Sequence, residues 1–199
     1  MELHQTSYIS IAGVDDPCCG SFDSPCASFK GVLGRMGRNG TVYFHEGSYS
    51  SIQGLGNFTD VDWKLIGLGN VIINVLDKTS FDVVVSNLTI ANVKIHCKTD
   101  FCFSISNSSF HLSHSNVLHD AGNSTAMVDS STILLSNCNL ESNASILLKS
   151  SRSQVILQDV EVSGVILDSV FHLDGSQMDV IHSNFSNIDS ISLFPVNKV

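Results

Sequence analysis

Five eight-residue segments of this 199-residue chain align without gaps: VVVSNLTI (83–90), FHLSHSNV (110–117), ILLSNCNL (133–140), VILQDVEV (155–162) and MDVIHSNF (178–185). Their last residues, Ile90, Val117, Leu140, Val162 and Phe185, fall 27, 23, 22 and 23 positions apart. A fixed period of this size is the mark of stacked units, none of which can bury its apolar face alone. The chain is thereby bound to a solenoid before any other property is considered.

The columns of the alignment give the local structure. The first position is apolar throughout (Val83, Phe110, Ile133, Val155, Met178), and so is the third (Val85, Leu112, Leu135, Leu157, Val180). That is the period of two expected of a strand with one buried face. The fifth position is polar in all five segments: Asn87, His114, Asn137, Asp159 and His182. The eighth is apolar again. A strand, a bend at a polar residue and a second strand make one side of a coil, with the fifth-position residues stacked as a ladder.

Two earlier segments, GTVYFHEGSY (40–49) and WKLIGLGNVIINV (63–75), continue the count with glycines at turns. One stretch has helical spacing: Phe29, Val32, Leu33 and Met36 within Ser24–Met36. A short helix there would cap the open end of the solenoid. The expected organisation is a cap over residues 1–38, with a Cys-rich loop, and coils over 39–199. The last residues, SLFPVNKV, follow a coil without a capping helix, so the rod is expected to continue beyond them.

A net charge of −9 offers no basic stripe for phosphates, which excludes nucleic acid and an anionic membrane surface as partners. No apolar run is long enough to span a bilayer, and the first residues lack the basic and apolar regions of a signal peptide. Cysteine usage points outward nonetheless. Cys18, Cys19 and Cys26 sit in CCGSFDSPC, and Cys97 and Cys102 in CKTDFC; loop cysteines so spaced suggest disulfides. The spacing does not fit a zinc site. Cys138 lies within a strand pattern and is expected in the core. Seven glycosylation sequons begin at Asn39, Asn57, Asn87, Asn107, Asn123, Asn143 and Asn184. Composition alone would give about three. Disulfides and sequons together make an extracellular or cell-surface home the expected one.

The coil period, the polar ladder and the opening CGSFDSPCASFKGVL…GTVYFHEGSYS resemble the right-handed parallel β-helix, the pectin lyase-like superfamily, and in particular eukaryotic surface proteins of that fold. The resemblance implies an all-β chain of about six to seven coils with a short N-terminal capping segment. It implies little about activity, because the fold carries lyases, hydrolases, esterases and adhesins alike. The enzyme motifs of the superfamily are missing. A polygalacturonase-like site needs N-T-D, D-D, G-H-G and R-I-K; the one D-D here, Asp15-Asp16, precedes the cap cysteines. A pectate lyase-like site needs several carboxylates around calcium and an arginine base, whereas Arg152 stands alone in KSSRSQ. Against the pectinesterase pattern, GSYSS (47–51) has Ser51 in place of glutamate, and Gln158-Asp159 lacks the later signatures.

The carboxylates Asp159 and Glu161 lie two apart, as a glycosidase pair on one strand face would. The repeat instead places Asp159 in the ladder between Asn137 and His182, and Glu161 in an outward column with Thr89, Asn116, Asn139 and Asn184. No catalytic residue is assigned. Were the chain an enzyme, its pool would be Asp159, Asp168, His172, Asp174 and Arg152. No metal or cofactor is expected: His111, His114 and His119 point different ways, HEG (45–47) lacks the second histidine of a metalloprotease, and no helix-forming run follows either GLG. The leading functional expectation is a non-catalytic β-helix module for adhesion or glycan binding, with glycans or another surface protein as partner. The alternatives are a polysaccharide-active enzyme with an unfamiliar site and a structural or assembly module.

Overall fold

A computed structural model describes residues 5–33, 35–50, 57–76, 80–120, 122–165, 169–186 and 193–195. The chain opens with β1 (Gln5–Ile9) and a five-residue helix, α1 (Phe29–Leu33). Two long strands begin the coils, β2 (Asn39–Ser50) with β3 (Asn57–Thr59), then β4 (Asp62–Val75) with β5 (Phe81–Val84). Each later coil has three strands. They are β6 (Asn87–Ala91), β7 (Lys94–Cys97) and β8 (Phe101–Ser106), then β9 (Ser109–Ser113), β10 (Asn116–His119) and β11 (Ser124–Asp129). Next come β12 (Thr132–Ser136), β13 (Asn139–Ser142) and β14 (Ile146–Ser151), followed by β15 (Gln154–Gln158), β16 (Glu161–Ser163) and β17 (Ser169–Asp174). The final triplet is β18 (Gln177–Ile181), β19 (Asn184–Ser186) and β20 (Leu193–Pro195).

Strands of one kind stack in parallel, giving three faces and an all-β solenoid of about six turns. β2 and β4 run through the first and second faces and join them into a 13-stranded sheet; the third face is a separate sheet of seven strands. Apolar residues fall in register from coil to coil. On the first face Trp63, Leu88, Phe110, Ile133 and Val155 form one inward column, and on the second Ile73, Ile95, Val117, Leu140 and Val162 form another. All ten are buried. Toward the N-terminal end the core is aromatic: Phe81 stacks between Phe58 at 6.3 Å and Phe103 at 5.6 Å. Each such ring contributes about 2–3 kcal/mol through burial alone.

Sharp bends at residues with left-handed φ shape the coils, two in each coil from β6 onward. Between the first and second faces these are Asn92, His114, Asn137, Asp159 and His182, with φ from 49° to 58°. Between the third face and the next coil's first face they are Asp60, Val85, Asn107, Ser130, Arg152 and Gly175, with φ from 49° to 59°. Asparagine and aspartate tolerate this region better than other side chains, which accounts for part of the ladder's composition; Val85, β-branched, is a true outlier. Bend amides still pair across coils. His114 N–H donates to Ser136 O at 3.1 Å and Asn137 N–H to Gln158 O at 3.0 Å.

The register corrects one ladder assignment. Asn87 is no bend residue; it opens β6 and pairs with Asp62 and Ser109. Asn92, five positions on, takes its place. VVVSNLTI straddles the other bend, at Val85, and the two bends share one local grammar, an apolar strand end, a left-handed residue and a second strand. The interval of 27 rather than 22 or 23 marks the slip. For the same reason Glu161 shares its outward column with Lys94, Asn116, Asn139 and Asn184, not with Thr89.

Serine explains the second bend. The residue after each left-handed position turns inward: Ser86, Ser108, Ser131 and Ser153 are buried there. Each hydroxyl donates to the carbonyl two residues back, as Ser108 Oγ does to Ser106 O at 2.7 Å, and accepts the amide of its counterpart in the preceding coil. Ser86 N–H reaches Ser108 Oγ, Ser108 N–H reaches Ser131 Oγ and Ser131 N–H reaches Ser153 Oγ, all at 3.0 Å. A bend that removes amides from the strand ladder thus stays satisfied.

The cap is held by side chains. β1 pairs with β2, and its other edge is covered by the loop that Cys19–Cys26 closes: Tyr8 N–H donates to Gly20 O, and Cys26 N–H to Tyr8 O, both at 2.9 Å. Asp15 Oδ1 accepts the amides of Ala27 at 2.8 Å and Ser28 at 3.0 Å just before α1. The helix is shorter than Ser24–Met36, with Phe29 and Val32 as its buried residues. Cys97 and Cys102 form the second disulfide. Cys18, in the turn just before Cys19, is a free, exposed thiol. Cys138 is buried at the place a serine takes in the coil before, donating to Ser136 O at 3.2 Å.

Candidate functional site

The second bend is re-entrant, and a groove of about 920 Å³ runs along it parallel to the solenoid axis. One wall is the first residue of every first-face strand. Asn39, Asp62, Asn87, Ser109, Thr132, Gln154 and Gln177 lie in strict register, one per coil. The opposite wall carries the left-handed residues Asp60, Val85, Asn107, Ser130, Arg152 and Gly175, and the inward serines form the floor. Every step of the first wall can hydrogen bond, and none of the lining residues is aromatic.

Two ion pairs link adjacent coils at the groove's edge. Arg38 Nη2 lies 2.5 Å from Asp60 Oδ2. Arg152 Nη2 donates to both oxygens of Asp129, one coil back, at 2.8 and 3.0 Å. That hydrogen bond, chiefly, holds the Asp129 carboxyl below the usual carboxylate range, and the same contact raises Arg152.

Beyond this edge, on the outside of the third face, lies a basin of about 460 Å³ lined by Ser104, Met127, Asp129, Lys149, His172 and Asp174 among others. Lys149 and His172 are register partners, and Asp129 and Asp174 flank Ser151 in a second column. Two residues of the sequence-derived pool, His172 and Asp174, therefore line the basin, and Arg152, a groove residue, reaches its edge through Asp129. Asp159 does not join them. It sits on the first bend, at the other end of β15, with Asn137 before it and His182 Nδ1 3.7 Å away. Asp168 lies outside the described residues.

The three histidines do not converge. His111 Nε2 meets Ser136 Oγ at 3.0 Å, His114 is a bend residue, and His119 is wholly buried. Thr99 O can only accept, so His119 Nε2 carries the proton in that 2.7 Å bond, and Nδ1 meets Thr125 Oγ1 at 3.0 Å. Among the described residues one group of ligand-type side chains is close enough to hold a metal: Asp15, Cys19 and Cys26. Its sulfurs are already bonded to each other.

Of the sequon asparagines, Asn39, Asn87 and Asn107 line the groove. Asn123 and Asn143 are exposed on the turns between second and third faces, Asn184 is exposed in β19, and Asn57 opens β3. The column of strand-opening polar residues and the serine floor were not anticipated from the sequence. The floor's signal was present in the serine excess, at the position two before each first-face core residue: Ser86 before Leu88, Ser108 before Phe110, Ser131 before Ile133 and Ser153 before Val155.

No protein-family model matches the sequence, and no curated protein matches it. One solved structure similar to the chain is a rhamnogalacturonan lyase, with a TM-score of 0.58 and 13 % identity over 96 % of this chain. The chain spans 65 % of the length of that lyase. The likeness is one of fold, a parallel β-helix of stacked coils. No helix among the described residues is long and apolar enough to cross a membrane.

Proposed function

We propose that the chain is a non-catalytic glycan-binding module acting outside the cell or at its surface, with the groove along the second bend as its binding site. The observation that carries this reading is the column from Asn39 to Gln177, one hydrogen-bonding side chain per coil along an open groove. Two disulfides fit an oxidising compartment. A fold neighbour named for a polysaccharide supports glycan as the ligand class. Affinity electrophoresis through gels containing single soluble polysaccharides tests it. Retardation by at least one polymer, reduced in the double variant Gln154→Ala/Gln177→Ala, is expected; unretarded migration through all of them overturns the reading.

A second reading, cleavage of a polysaccharide, draws on the basin. His172, Asp174 and Lys149 line it, Arg152 holds its Asp129 from the groove side, and coils about 4.8 Å apart put Asp129 and Asp174 two steps from each other. Glycoside hydrolysis asks for a general acid that keeps its proton near neutral pH. Asp129, bound to a guanidinium, is held the other way. New reducing ends or unsaturated sugars released by the protein and lost in His172→Ala would favour this reading over the first.

A further inference from the structure

We infer that the groove selects an uncharged, extended glycan lying along the solenoid axis and discriminates against acidic polymers; this rests on the glycan-binding reading and narrows it. Charge is the first argument. The groove has two guanidinium groups, and each is engaged by a carboxylate, Arg38 by Asp60 and Arg152 by Asp129. Asp62 stands exposed in the strand-opening column with no cation paired to it among the described residues. The groove lining itself holds two guanidiniums and two carboxylates, and with Arg152 engaged by Asp129 from outside the groove, Asp62 is left as its uncompensated charge. A uronate passing through would meet surplus negative charge and find its natural partners taken.

The donors are the second argument. Amides at Asn87, Gln154 and Gln177 and hydroxyls at Ser109 and Thr132 both give and accept hydrogen bonds, as sugar hydroxyls do. A carboxylate accepts only, and half of each such side chain would be wasted on it. The third argument is spacing. The groups recur once per coil, about every 4.8 Å, a step comparable to the advance of one sugar in an extended chain. With no aromatic platform in the groove, no single subsite dominates. Affinity accumulates along the polymer, so short oligosaccharides bind far more weakly than long chains.

The test is affinity electrophoresis of the whole chain at low salt through two series of matched length. One series is neutral, such as glucomannan and hydroxyethyl cellulose, and the other acidic, such as polygalacturonate and alginate. Retardation by a neutral polymer at least tenfold stronger than by any acidic one, and insensitive to added salt, is the expected result. Equal or stronger retention on acidic gels, relieved by salt, overturns the inference while leaving glycan binding intact. Retention on neither series removes the glycan-binding reading itself and this inference with it. The variant Asp62→Asn supplies a second readout. Loss of the surplus charge should narrow the neutral-to-acidic ratio several-fold, and an unchanged ratio would show that charge does not set the preference.

Discussion

Arg152 reaches one coil back and holds both carboxylate oxygens of Asp129, at 2.8 and 3.0 Å. The side chains are 70 % and 44 % exposed, so the pair adds little to stability despite its fork geometry. Its effect is on the proton. A carboxyl lowered in the folded state contributes stability above its unfolded value, about 3.9, and that contribution is lost as pH falls through the lower folded value. Arg152→Gln should let the Asp129 carboxyl climb back toward the ordinary range in an NMR titration, with the melting temperature almost unmoved. An Asp129 titration identical in the variant would mean that the ion pair does not form in solution.

His111 carries a pH dependence of the same sense nearer neutrality. Burial, and after it the charge of His114, lowers its pKa. The unfolded chain then takes up the proton first, so stability present above about 6.5 is lost as pH falls from there through the lowered folded value. Urea midpoints measured from pH 7.5 to 5 should fall less steeply in His111→Asn than in the native protein. Parallel profiles would exclude His111 as the source.

The serine floor makes a sharper claim on stability. Ser108 Oγ accepts the buried amide of Ser86 and donates to Ser106 O, which keeps the Val85 amide as a partner, so Ser108→Ala leaves the Ser86 N–H unsatisfied. The expected loss is about 1–3 kcal/mol. Ser108→Cys should lose less, because Cys138 fills the matching place on the other bend with its Sγ 3.2 Å from Ser136 O. Chemical denaturation of the two variants decides it: equal losses would place the effect in packing rather than in the hydrogen bonds.

How far the sequence could reach follows from these contacts. The repeat and its inward columns were legible because burial imposes a period of two and stacking a period of about 23, and both act on residue type directly. Phe110, Ile133, Val155 and Met178 are register partners as the alignment has them. Asn87 was misplaced because two bends of one local grammar cannot be told apart within an eight-residue window. The groove was illegible for a different reason. Asn39, Asp62, Asn87, Ser109, Thr132, Gln154 and Gln177 share a position and not a residue type, so only the register, set by long-range pairing, reveals them as one surface. The gathering of His172 and Asp174 in the basin and the distance of Asp159 follow from the same register.

The six cysteines should separate into three chemical classes. Cys19–Cys26 and Cys97–Cys102 protect four thiols until reduction. Cys18 is free and exposed, whereas burial pushes the Cys138 thiol up and keeps it from reagent. A maleimide added to the native oxidised protein should label Cys18 alone, and Cys138 should react after denaturation. Labelling of neither in the folded state would indicate that Cys18 has taken a partner.

The sequons offer the test that bears on the groove most directly, because a glycan and a ligand cannot share one space. Asn87 and Asn107 line the groove, and Asn87 belongs to the hydrogen-bonding column itself. A glycan on either would project from the wall into the path of a bound polymer. Asn123 and Asn143 stand on exposed turns at the far edge of the third face, where a glycan meets solvent. Expression through a secretory pathway should therefore leave glycan on Asn123 and Asn143 and leave Asn87 and Asn107 bare. Enzymatic deglycosylation in heavy-oxygen water followed by peptide mass spectrometry reads each site separately. Full occupancy at Asn87 and Asn107 would close the groove with the protein's own sugar, and the binding function would have to be sought on another face.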